Sequence, residues 1–118
     1  MESHRLVLPE HLSHYGFLFG GYMMKWVDEF AWIAARLDYP ECNFLTIALD
    51  GVEFKKTVRG GTILRFVVEK MKTGNTSVQY QVNVFRRRPD EDEIEEVFST
   101  RVTLVCVDSD GKKTRLPR

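Results

Sequence analysis

Hydrophobic and polar positions change period along this chain, and the changes mark its elements. Arg5 to Leu8 reads as a short first strand that stops at Pro9. Ser13 to Gly21 lacks periodicity and carries Gly16, Gly20 and Gly21, so it reads as a loop. From about Tyr22 to Leu37 the pattern is helical. At about 100° per residue, Lys25, Glu29 and Arg36 fall on one solvated stripe. Met23, Met24, Val27, Phe30, Ala31, Ile33, Ala34 and Ala35 cover most of the remaining circumference, so the helix is predicted to be mostly buried. Pro40 lies beyond its end, where a proline is tolerated.

The period then drops to two. Phe44 to Phe54 is an apolar-rich strand interrupted by Asp50 and Gly51, which predicts a bulge or bend. Thr62 to Lys70 places Leu64, Phe66 and Val68 at alternate positions. Ser77 to Phe85 alternates most cleanly, with Val78, Tyr80, Val82 and Val84 against Gln79, Gln81 and Asn83. Val97 to Val107 completes the set, and alternation over such lengths argues for strands. Gly74-Asn75 reads as a hairpin turn, and the mixed-charge run Arg86 to Glu93 as a solvated hairpin tip. The order is one strand, one long helix and an antiparallel meander. That predicts an α+β fold in which a curved sheet wraps the helix.

Composition narrows the classes. A chain of 118 residues is expected to form one domain over 1–118. A core this small makes oligomerisation a reasonable expectation. Lys+Arg and Asp+Glu both number 17, so no net field favours nucleic acid or an anionic membrane. No run resembles a signal peptide or a membrane span, which points to the cytoplasm. Cys42 and Cys106 lack C-x-x-C spacing and are expected to be free thiols in a reducing compartment.

Two features could carry chemistry. Gly20-Gly21 stands where a helix begins, and a helix start presents unpaired N–H groups with partial positive charge, suited to an oxygen gaining negative charge. Asp28 sits two turns further on. Its neighbours on the wheel are Met24, Ala31, Trp32 and Ala35, and apolar surroundings tend to raise a carboxylate toward the range of a general base. The bland alternative is a boundary acid reaching water. The helix rises about 10 Å between Gly21 and Asp28, too far for one chain to offer both to one carbonyl. If both act, they come from two chains of a symmetric dimer. His11 and His14 form H-x-x-H without a third ligand, so no metal is expected; His14 as a hydrogen-bond donor fits better. Ser13 lacks a nucleophile-elbow context. Trp26, Phe30 and Trp32 read as core or dimer contacts.

These residues bring a family into view. The chain resembles the hotdog-fold acyl-coenzyme A thioesterases of the YciA-type and cytosolic acyl-CoA hydrolase branch. The resemblance rests on Pro9, Gly16, the F-G-G of Phe19 to Gly21, Met24 and Asp28. It continues through Phe54, Gly61, K-x-G-x-T-S at Lys72 to Ser77, V-x-V-D-x-D-G-K at Val105 to Lys112, and Pro117. It implies dimers joined through a continuous sheet, often assembled further into tetramers or hexamers. It also implies hydrolysis of acyl-CoA to free acid and CoA, with no cofactor beyond the CoA of the substrate. The essential aspartate falls on Asp28, and Gly21 falls where a backbone N–H polarises the thioester carbonyl. Thr76 and Ser77 fall in a turn near bound CoA, and Lys112 and Arg115 in a tail that approaches its phosphates.

One departure stands out. The family's D-x-N-x-x-G loop reads H-L-S-H-Y-G here, with Ser13 at the asparagine position and His11 at the acidic one. Serine is shorter and offers one donor, so His14 or a water would have to compensate. The acyl chain is expected among Phe17, Phe19 and Met24. Two rivals stay open: a non-catalytic acyl-CoA or lipid-binding dimer, and a hotdog dehydratase using an N-terminal histidine.

Overall fold

The computed structural model describes residues 1–87 and 94–117. Strand β1 spans Glu2–Leu6, a 3₁₀ turn Pro9–His11, helix α1 Gly20–Asp38, and strands β2 to β5 Asn43–Phe54, Ile63–Thr73, Ser77–Arg87 and Ile94–Val107. The helix thus begins at Gly20, two residues earlier than its periodicity suggested, because glycines carry no pattern. The first strand lies nearer the N-terminus than expected. The tip predicted over Arg86 to Glu93 starts later: Arg86 and Arg87 belong to β4, and residues 88–93 lie outside the described residues.

All five strands form one antiparallel sheet in the order β1-β3-β4-β5-β2. Only β3, β4 and β5 form a meander. Strand β2 was expected next to β3 but pairs with β5, with Phe44 opposite Cys106 and Thr46 opposite Leu104. The connection after Phe54 lacks the two-residue turn of a hairpin and crosses to the far side of the sheet. The Gly74 turn does close a hairpin, its N–H donating to the Ser77 carbonyl at 2.8 Å. The predicted irregularity in β2 is present: the register shifts between Asp50 and Glu53, and Gly51 adopts φ +59°.

Alternation explains the core. Leu64, Phe66, Val82, Val84, Phe98 and Leu104 point inward and are fully buried beneath α1, each side chain contributing about 1.5–3 kcal/mol by leaving water. The helix supplies Met23, Trp26, Val27, Phe30, Ala31, Ala34 and Ala35. Lys25 and Glu29 are exposed as expected, whereas Arg36 folds back to donate to the Cys42 carbonyl at 2.9 Å. Trp26 and Phe30 are core residues, while Trp32 is 40% exposed and donates its indole N–H to the Phe44 carbonyl. Among the described residues no helix is long and apolar enough to cross a membrane.

The cysteines correct an expectation. Cys42 and Cys106, read as free thiols, form a disulfide with Cα atoms 5.5 Å apart across 64 residues of sequence. The crossover of β2 onto β5 brings them together: Cys42 stands two residues before Phe44, whose partner is Cys106. Sequence spacing carries no information about that crossover.

Candidate active site

The site begins where α1 begins. Phe19 caps the helix in extended conformation (φ −64°, ψ 132°) with no side-chain cap, so no side chain of the cap residue takes up the first N–H groups. The Tyr22 and Met23 N–H groups turn back to the Phe19 carbonyl. Among the described residues the N–H groups of Gly20 and Gly21 find no acceptor. Gly21 is exposed, and a Cβ built there meets nothing within 4 Å. Gly20 is different: a Cβ would stand 3.1 Å from Cζ of Phe54, so the ring rests directly against the helix start and a side chain there would make it shift. Beside it lies a cavity of about 240 Å³ lined by Phe17, Leu18, Met23, Phe54 and Val58.

The preceding loop folds onto this helix end. Phe19 N–H donates to the His11 carbonyl at 3.0 Å, and Leu12 bridges Leu18. Ser13 shapes the loop: its N–H donates to the Phe17 carbonyl at 2.8 Å, and its hydroxyl oxygen accepts the Tyr15 N–H at 3.3 Å. His14 is exposed with its ring 4.0 Å from that of Tyr15. His11 is structural. Its Nδ1 accepts the Leu8 N–H at 3.0 Å, and its ring packs on Tyr22 and Trp26. Among the described residues no three His, Cys, Asp or Glu side chains gather as a metal would require.

Asp28 is half-buried rather than free in solvent. Its Oδ1 accepts a 2.5 Å hydrogen bond from the Thr46 hydroxyl on β2, and neither Ser13 nor His14 bonds to it. Sequence reasoning missed Thr46. Its signal was weak, a hydroxyl among the apolar residues Phe44 to Leu49, and only the placement of β2 against the helix makes it meaningful. The rise of about 10 Å from Gly21 to Asp28 along one straight helix keeps the two groups apart in a single chain.

The four residues expected at CoA gather at the other end of the sheet. After β5 the chain turns at Gly111, whose φ of +79° favours glycine. Asp108 Oδ1 accepts the N–H groups of Asp110 and Lys112. The tail then runs back antiparallel, with Val107 bridging Lys113, Thr114 N–H donating to Cys106 O at 2.8 Å, and Leu116 N–H to Asn75 O at 3.0 Å. The Cys106 N–H in turn donates to Thr76 O at 2.8 Å. Thr76 and Ser77 are half-buried beside this tail, while Lys112 and Arg115 are exposed and, among the described residues, unpaired with any acid. A cavity of about 1040 Å³, lined by Arg59, Arg65, Phe85 and Arg87 among others, shares no residue with any of these groups.

Comparison with known proteins bears on this geometry. A family model described as Thioesterase superfamily matches residues 15–92. An uncharacterized acyl-CoA thioester hydrolase of Zymomonas mobilis is 28% identical over 112 residues, spanning 95% of this chain and 74% of that protein. A hexameric hotdog-fold thioesterase of Campylobacter jejuni superposes with a TM-score of 0.88 at 33% identity, over 98% of this chain and 88% of that one. An acyl-CoA hydrolase of Staphylococcus aureus, solved with butyryl-CoA, CoA and CoA disulfide, superposes at 0.89 with 26% identity, over 99% of this chain and 71% of that one.

Proposed function

Because this chain belongs to the thioesterase superfamily, we propose that the site described above hydrolyses acyl-CoA to a free acid and CoA. The observation that carries the reading is the pairing of a half-buried Asp28, oriented by Thr46, with an uncapped helix start that offers free N–H groups.

Asp28 of one protomer takes a proton from water while the oxygen attacks the thioester carbon; alternatively its carboxylate attacks directly and water opens the resulting anhydride. The carbonyl oxygen gains charge against the Gly21 N–H of the facing protomer, a preorganised donor of the kind that stabilises oxyanions. Ser13 or His14 assists from the loop beside it. On the first route the C–S bond breaks and the sulfur takes the proton held on Asp28. On the second CoA leaves as a thiolate, and the water that opens the anhydride restores the Asp28 carboxylate and supplies the proton that the thiolate takes up. Thr76, Ser77, Lys112 and Arg115 hold the CoA portion. The acyl chain enters the cavity beside Gly20, close to the expected Phe17. No step calls for a metal.

The partner subunit meets the exposed edge of β2, the outermost strand of the sheet. A twelve-residue edge with exposed Leu45, Ile47, Val52 and Phe54 is prone to pairing. The hexameric state of the Campylobacter thioesterase supports a dimer that assembles further. A non-catalytic acyl-CoA-binding dimer keeps one argument: the Ser13 hydroxyl at the usual asparagine position is engaged with the Tyr15 N–H.

Subunit mixing tests the reading. Asp28→Asn loses cleavage about 10²–10⁴-fold, as removal of a general base does, yet still binds acyl-CoA. Gly21→Pro removes one N–H at a helical position that tolerates proline, and loses about 10²-fold. Mixed and refolded together, the two inactive proteins regain about a quarter of wild-type activity, because half the symmetric dimers are hybrids with one intact site. Binding without CoA release in the wild type selects the non-catalytic alternative. No recovery on mixing removes the shared site.

A further inference from the structure

The Cys42–Cys106 disulfide stands at a junction that the reaction scheme leaves unused. Cys106 is the β5 residue from which both CoA-binding pieces hang, its N–H bonded to Thr76 and its carbonyl to Thr114. Cys42 closes the other end of the link. Its N–H donates to Tyr39 O at 3.0 Å, and its carbonyl accepts Arg36 Nη1 at 2.9 Å, so it belongs to the C-terminal end of α1. The bond therefore ties the helix end to the strand that carries the arm of residues 108–117. The arm is otherwise held by the Asp108 turn, the bridge of Val107 to Lys113, the Thr114 bond to Cys106, the Leu116 bond to Asn75 and burial of the Leu116 side chain. Asp28 and Thr46 lie on the far side of the link. Thr46 is four residues beyond Cys42 and already fixed opposite Leu104 in the sheet.

We propose that this disulfide is the positioning element of the CoA-binding arm, so that a thiol reductant weakens substrate binding while leaving the chemical step intact. The proposal rests on the CoA-binding reading of Lys112 and Arg115. In the step itself the reductant supplies two electrons and two protons; the S–S bond breaks, two thiols form, and the reductant leaves as its own disulfide. Both sulfur-bearing residues are buried, at 3% and 2% exposure, in the core cluster that also holds Leu116 of the arm, so exchange requires local opening. Once reduced, the arm and the Thr76 turn have to be ordered each time substrate binds, a cost the intact link removes in advance.

The test compares protein purified without reductant, the same protein treated with dithiothreitol, and Cys42→Ser. Reduction and the substitution both raise KM for acyl-CoA about fivefold, as loss of preorganisation does, with kcat within a factor of about two. Cys42→Ser gives no response to dithiothreitol. Amide hydrogen exchange at Thr114 and Leu116 accelerates on reduction. Equal KM in both redox states, or two free thiols in the untreated protein, overturns the proposal. Should no acyl-CoA be cleaved or bound in any state, the functional reading falls, and the exchange rates at Thr114 and Leu116 still decide the positioning role: faster on reduction supports it, unchanged refutes it.

Discussion

Replacing Thr46 by valine keeps the shape of the side chain and deletes the one hydroxyl that bonds to Asp28. A hydrogen bond to a charged group contributes about 1.5–3 kcal/mol. Asp28 and Thr46 are only half-buried, so water replaces part of what is lost, leaving about 1–2 kcal/mol. If the carboxylate must be held for the attack, that difference appears in the transition state. At about 1.36 kcal/mol per tenfold in rate, kcat/KM falls about 5- to 30-fold. The fall lies mainly in kcat, because the Thr46 hydroxyl bonds to Asp28 and to no residue of the arm expected to bind CoA. The assay follows CoA release with a thiol reagent across substrate concentrations, alongside a melting curve to confirm the fold. Thr46→Ser retains the hydroxyl and returns to within about threefold of wild type. A Thr46→Val protein with unchanged melting temperature and kcat within about twofold of wild type would show that Thr46 merely packs and that Asp28 does not depend on it.

Three further outcomes concern stability. Tyr80 is buried and donates to Asp38 Oδ2 at 2.6 Å; burial first and that bond second push its phenol well above 10.0. Its contribution is therefore complete below pH 10.0 and fades as pH rises above it. Tyr80→Phe loses about 1 kcal/mol in denaturant unfolding at neutral pH and shows a shallower alkaline decline. Glu96 sits below its ordinary 4.5 because the Lys55 side chain donates a 2.8 Å hydrogen bond to it, with Asn83 helping. Its contribution is present above pH 4.5 and lost as pH falls below it, so Glu96→Gln flattens the acid limb of a stability profile; an acid limb identical to wild type counts against the pairing. Gly51→Ala meets both a φ of +59° and the Arg101 guanidinium 3.2 Å from the new Cβ. It costs about 1 kcal/mol, or about 4–8 °C in melting temperature.

Much was legible in the residues alone, for physical reasons. Period-two alternation in β4 and the helical wheel of α1 record which faces leave water, and burial follows those faces almost residue by residue. Asp50-Gly51 announced the irregularity in β2, because glycine serves where φ turns positive. Acyl-CoA chemistry came from resemblance instead: the order of Gly21, Asp28, the Lys72 to Ser77 turn and the tail motif matches the acyl-CoA thioesterases, which no single piece would have shown.

Tertiary structure decided what depends on pairing between distant segments. Hydrophobic periodicity says that a strand has an inner face but not which strand lies beside it, so the return of β2 to β5 was invisible. From that one choice follow the Cys42–Cys106 bond and the Thr46 hydroxyl against Asp28. The path of the tail past Asn75 and Thr76 depends equally on the backbone of Cys106, which bonds both to Thr114 and to Thr76 in a hairpin turn distant along the chain.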